Sequence, residues 1–128
     1  MATHAPAAGL RSTSDDRSRK AGAIIRLEGV VKSFDGYRAL DGVDLEVALG
    51  ERVVVCGPSG SGKTTLLNII GCSVDPSAGR VVLDGETVFD GRWLRVDLRR
   101  LRLDKIGFIF QAHNLLPFLT AEENVSLV

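Results

Sequence analysis

The sequence predicts an α/β fold, and three observations carry that prediction. Apolar and polar residues alternate through "IIRLEGVVKSF" and "ALDGVDLEVALG", the period of strands with one wet face. A continuous β-branched run, "RVVVC", passes through a glycine-rich stretch into "KTTLLNIIG", where apolar residues take up helical spacing. Short apolar runs separated by turn residues then follow, as in "RVVLDGETV".

Length and composition set the frame. With 128 residues, 45% hydrophobic and 25% charged, the chain suits one soluble globular domain. Sixteen basic side chains balance sixteen acidic ones, so no electrostatic excess argues for nucleic acid, and none is expected as a partner. Cys56 and Cys72 show no C-x-x-C pairing and are expected to be small buried apolar residues. No apolar run approaches the roughly 18 residues of a membrane span.

The first 22 residues, Met1 to Gly22, hold almost no large apolar side chain and are expected to be a disordered tail. They lack the apolar segment of a signal peptide, and Asp15 and Asp16 argue against a transit sequence, so a reducing cytoplasm is expected. From Ala23 two antiparallel strands are predicted, separated by the hairpin-like "DGYR". "RVVVC" reads as a strand covered on both faces, and Leu66, Leu67, Ile69 and Ile70 give the next helix its apolar side. Gly71 and "DPSAG" end that helix, and "RVVLDGETV" is a strand, an Asp84-Gly85 turn and a return strand.

In "RWLRVDLRRLRLDK", Leu94, Leu98 and Leu101 fall at i, i+4 and i+7, which predicts an amphipathic helix. Arg92, Arg95, Arg99 and Arg102 form a second stripe, read as a solvated face, with acidic lipid or nucleic acid as the alternative. "IGFIF" reads as a short buried strand, and His113 as polar loop. Pro117 breaks the following apolar stretch, and Thr120 with Glu123 forms a capping box that opens a helix. The chain reaches Val128 soon after, so it is expected to be cut off inside an element.

Gly57, Pro58, Ser59, Gly60, Ser61, Gly62, Lys63 and Thr64 match G-x-x-x-x-G-K-[ST], with Thr65 directly after. Glycines let backbone N–H groups wrap a phosphate beside the positive end of a helix. Lys63 supplies a full charge to the β- and γ-phosphates, and the Thr64 hydroxyl is placed to ligate Mg²⁺. The loop alone suits a GTPase, a kinase or a transport ATPase, although no guanine-reading N-K-x-D segment is present.

"GPSGSGKTTLLNIIGCSVDPSAGRVVLDG" together with "IGFIFQAHNLLPFLTAEENV" resembles the nucleotide-binding subunit of ABC transporters, most closely the exporter branch that includes LolD-, MacB- and DevA-type ATPases. The resemblance runs from Ile24 to Val128. It implies a P-loop NTPase of the ABC type, with residues 23–128 forming the amino-terminal half: an antiparallel β subdomain plus the start of the parallel core. It implies ATP and Mg²⁺ as cofactors, with Phe34 stacking on adenine, or Tyr37 if the register slips. The alternative for Phe34 is an ordinary strand-end core residue. Gln111 matches the Q-loop glutamine that reaches the metal and the attacking water, which makes Lys63 and Gln111 the catalytic candidates and Thr64 and Gln111 the metal candidates.

The implied partners are a transmembrane permease subunit and a second ATPase subunit, with the chain peripheral on the inner face of the cell membrane. The family pattern continues with an LSGGQ-type signature, a strand ending in Asp with a catalytic Glu, and a switch His; these 128 residues contain none of them. The chain is therefore expected to be truncated before those motifs and catalytically incomplete alone. A short P-loop module that holds ATP or docks to a transporter without hydrolysis is the alternative.

Overall fold

The computed structural model describes residues 10–11, 22–94, 97–110 and 115–127. Two long strands, β2 (Ala23–Phe34) and β3 (Tyr37–Ala48), follow the short β1 (Leu10–Arg11). Then come β4 (Val54–Val55), α1 (Lys63–Ile70), β5 (Ala78–Leu83), β6 (Glu86–Asp90), α2 (Leu98–Lys105) and α3 (Ala121–Ser126).

β2, β3, β5 and β6 form one antiparallel sheet in the order β3-β2-β5-β6. Both of its tight hairpins turn on an Asp-Gly pair. Asp35 and Gly36 stand at φ 41° and 85°, and Asp84 and Gly85 at φ 50° and 76°, the positive values that a two-residue turn needs to match strand twist. The predicted "DGYR" and Asp84-Gly85 turns are thus as expected. At Gly79 a side chain is impossible without rearrangement, because a Cβ at its φ of 97° would lie 2.5 Å from the Gly29 carbonyl oxygen.

One face of the sheet is charged and wet. Arg26 pairs with Glu46 at 3.3 Å, and Arg80 bridges Glu28 at 3.3 Å and Asp90 at 3.1 Å across three strands. The other face carries the core: Leu27, Val30, Leu40, Val81, Leu83 and Val88 gather with Leu66 and Ile69 of α1 and Leu101 of α2. Alternation along the strands sorts the residues, and helical spacing brings Leu66 and Ile69 onto the same side of α1. Trp93 seals a corner, meeting Phe89 edge-on with ring centroids 5.2 Å apart while its indole Nε1 donates to Asp75 Oδ1 at 2.7 Å.

α1 ends at Gly71, as expected. α2 is shorter than its leucine spacing suggested, because the Asp97 carboxylate accepts from the Arg100 N–H at 2.9 Å and starts the helix there. The arginine stripe is also broken: Arg102 turns back to donate to the Cys72 carbonyl at 2.9 Å, and Arg95 lies outside the described residues. α3 opens on the predicted box, Thr120 N–H donating to Glu123 Oε2 at 2.8 Å and Glu123 N–H to Thr120 Oγ1 at 3.2 Å.

Four expectations are corrected. Of "RVVVC" only Val54–Val55 is a strand; Val55 packs on the core while Val54 is exposed, so the run is covered on one side only. β4 pairs antiparallel with β1, Leu10 opposite Val55, which places a strand within the stretch expected to be a disordered tail. The rest of that stretch, apart from Gly22, lies outside the described residues.

"IGFIF" is not a buried strand. Ile106 packs on the core and the Phe108 ring lies against Gly71, but no strand flanks the run among the described residues, Ile109 is fully exposed, and the Phe108 and Phe110 rings stack with centroids 5.5 Å apart. Apolar composition gave it a preference for extended backbone, but among the described residues no strand pairs with it. Cys72 is buried as expected, whereas Cys56 is exposed because it belongs to the loop and not to the strand.

Candidate functional site

The glycine loop runs from the end of β4 into the first turn of α1. Gly60 and Gly62 stand at φ 78° and 91°, in the region that disfavours any Cβ. Gly62 is also the N-cap of α1 and is pressed against β3, since a Cβ there would lie 2.5 Å from the Ala39 carbonyl oxygen and 2.9 Å from Leu40 Cδ2. The turn itself is closed by the Ser61 N–H donating to the Pro58 carbonyl at 3.2 Å.

Lys63, the first residue of α1, folds its ammonium back over the loop. Nζ donates to the Gly57 carbonyl at 2.8 Å, the Pro58 carbonyl at 2.7 Å and Ser61 Oγ at 3.3 Å, which uses all three of its donors. A full positive charge therefore sits on the loop. No side chain caps α1, and its first turn holds no acidic residue to offset the positive end of the helix.

Around this loop the predicted site residues fall into place unevenly. Gly57 through Gly60 are exposed, Thr64 is exposed on the first turn of α1, and Thr65 is half-buried. Phe34 stands at the tip of the β2–β3 hairpin, 45% exposed, with Lys32 Nζ 4.7 Å from the centre of its ring. It is therefore no buried core residue. Tyr37, directly opposite Phe34 in the hairpin, donates its hydroxyl to the Gly60 carbonyl at 2.9 Å. Gln111 and His113 lie outside the described residues.

The Tyr37 contact went unread in the sequence, where Tyr37 figured only as a substitute base platform. Its one available signal was position, directly after the Asp35-Gly36 turn and opposite Phe34. Among the described residues no group of three or more His, Cys, Asp or Glu side chains gathers to hold a metal ion. Cys72 belongs to the core: burial pushes its thiol up to about 11, with the nearby Arg102 charge pulling the other way.

A glycine loop, a lysine folded over it and an uncapped helix end are an arrangement whose chemistry suits an anion such as phosphate. Residues 40–127 match the family described as "ABC transporter". This chain belongs to the ABC transporter family. It is 49% identical over 104 residues to the lipoprotein-releasing system ATP-binding protein LolD of Bacteroides thetaiotaomicron, covering 81% of this chain and 47% of that protein. With an uncharacterized ABC transporter ATP-binding protein of Thermotoga maritima it shares 54% identity over 108 residues, 81% of this chain and 45% of the other.

Among solved structures, the ABC chain is similar to an ATP-binding cassette of Methanocaldococcus jannaschii, captured as a dimer in a post-hydrolysis state bound to ADP and Pi. The TM-score is 0.71 at 44% identity, over 80% of this chain and 45% of that one. The fold is accordingly the amino-terminal portion of a P-loop ABC nucleotide-binding domain. The chain spans about half the length of the LolD relative it matches.

Proposed function

We propose that this chain is the ATP-binding part of an ABC transporter's nucleotide-binding subunit, which couples ATP binding and hydrolysis to export through a separate membrane subunit. The observation that carries the reading is the Lys63 ammonium held over Gly57, Pro58 and Ser61 at the uncapped start of α1. The residues fit a nucleoside triphosphate: the loop offers backbone donors, Lys63 offers charge, and Phe34 offers an exposed ring face at the hairpin tip.

In this reading Gly57 to Gly62 bind the phosphates, Lys63 holds the β- and γ-phosphates, Thr64 with Gln111 would hold Mg²⁺, and Thr65 continues the first-turn donors. Mg²⁺, when bound, would offset the negative charge of the phosphates. Phe34 orients the adenine. Lys63 and Gln111 act on the reacting groups, Lys63 by exchanging part of its hydrogen bonding to the loop for phosphate oxygens. The permease and a second ATPase subunit are the partners, placing the chain at the cytoplasmic side of the membrane. Among the described residues no helix is long and apolar enough to cross a membrane. The lipoprotein-releasing and macrolide-export names of its relatives support the exporter branch.

Calorimetric titration with Mg-ATP tests this. Lys63→Ala removes the charged donor and is expected to weaken binding about 10- to 150-fold. In the same experiment the 128-residue chain is expected to bind without turnover above background, since its residues include no LSGGQ-type signature. Unchanged affinity in Lys63→Ala overturns the site. Turnover that Lys63→Ala abolishes overturns the expected catalytic incompleteness alone and keeps Lys63 in the site.

A further inference from the structure

We propose that Tyr37 is a positioning residue for the phosphate loop: its hydroxyl, donated to the Gly60 carbonyl, selects the loop conformation that receives phosphate. The inference rests on the nucleotide reading above and assigns a task to a side chain outside the G-x-x-x-x-G-K-[ST] pattern.

Glycine loops have a conformational problem. Gly57, Gly60 and Gly62 give the backbone the freedom that phosphate binding uses, and that same freedom lets an unliganded loop wander among many conformations. Binding then has to supply the cost of ordering it, unless something outside the loop selects the receptive form beforehand. A bond from a rigid element does this.

β3 is that element, and it touches the loop at two glycine positions. Ala39 and Leu40 press on Gly62, leaving no space for a Cβ, and Tyr37 reaches Gly60 with a 2.9 Å hydrogen bond. Tyr37 is well placed to be rigid, because it starts β3 immediately after the Asp35-Gly36 turn and is paired with Phe34. Its ring is 60% exposed, so core packing does not explain where it stands. The hydroxyl contact does.

The arrangement ties two halves of one site together. Phe34 and Tyr37 face each other across a two-residue turn, so the ring offered to the base and the bond that holds the phosphate loop belong to the same hairpin. A movement of the hairpin tip shifts both.

Mg-ATP and Mg-tripolyphosphate, titrated into the 128-residue chain and its Tyr37→Phe and Tyr37→Ala variants, separate the possibilities. Tripolyphosphate has no base, so it reads the cradle alone. Loss of one hydrogen bond to the loop is expected to weaken both ligands by about three- to tenfold in both variants. The melting temperature should stay unchanged, and amide exchange should speed up at Gly60 to Gly62 only. Unchanged tripolyphosphate affinity in Tyr37→Phe overturns the proposal, as does a loss confined to ATP, which would make Tyr37 a base platform. If the parent chain binds neither ligand, the nucleotide reading fails by itself. The brace is then judged on exchange alone: faster Gly60 to Gly62 amides in Tyr37→Phe support it, and equal rates overturn it.

Discussion

Leu27, Val30, Val81 and Val88 of the antiparallel sheet are buried in one core with residues of α1 and α2, whereas Ile109, Phe110, Leu115, Phe118, Val125 and Leu127, in the stretch after α2, stand in the open. The two regions do not differ much in apolar content. They differ in partners: each sheet strand is hydrogen-bonded to a neighbour, and its buried residues share a core with α1 and α2. The later stretch is organised by polar bonds instead. The Asn124 side chain accepts from the Leu116 N–H at 2.8 Å and donates to the carbonyls of Leu116, Leu119 and Thr120, tying the Pro117 turn to α3. Local hydrogen bonds can fix a shape without burying anything, and such regions sit at the low-stability end of a protein.

The strongest way to break this contrast is to shorten one isoleucine in each region. Ile69→Ala opens a cavity in a fully buried position of α1 and is expected to cost about 2–5 kcal/mol in denaturant unfolding. Ile109→Ala, at a fully exposed position, should stay within about 0.5 kcal/mol. Comparable losses would show that the later stretch is packed in solution.

Glycines sharpen the comparison with a smaller effect. Gly79→Ala drives a methyl into the backbone of Gly29 and Val30 at a φ of 97°, and is expected to cost about 2–4 kcal/mol. At Gly107 an added Cβ meets nothing within 4 Å, so Gly107→Ala should leave the unfolding midpoint within a degree or so of the parent. A large shift at Gly107 would reveal cover that the described residues do not provide.

The smallest effect is a pH dependence confined to α3. The Thr120 backbone and hydroxyl contacts hold the Glu123 carboxyl below its ordinary value of 4.5. The cap is therefore fully present above that ordinary value and is lost as pH falls through the lowered one. A carboxyl titration by NMR should place the Glu123 midpoint below 4.5, and Thr120→Ala, which keeps the backbone N–H and removes the hydroxyl, should move it part of the way back up. A midpoint at the ordinary value would mean that the capping box is not populated.

What the sequence disclosed was local chemistry. Asp35-Gly36 and Asp84-Gly85 state their turns in two residues, Thr120 and Glu123 state a cap in four, and Gly57 to Thr64 state an anion loop in eight. Each is a contact between near neighbours. "RVVVC" and "IGFIF" were misread because a β-branched run reports what its own backbone prefers, while cover depends on elements distant in the chain. The Tyr37 to Gly60 bond spans 23 positions, and the press of Leu40 on Gly62 also needs the hairpin to fold back on the loop before it exists.

Trp93 turns the corner it occupies into an optical gauge. It is the chain's one tryptophan, bonded through its indole to Asp75 in the turn after α1 and resting edge-on against Phe89 near the end of β6. Emission excited at the red edge of protein absorption comes from that ring alone. Its colour and quenching therefore follow the docking of the post-α1 turn on the sheet, with no dye attached and no signal from the phosphate loop to subtract.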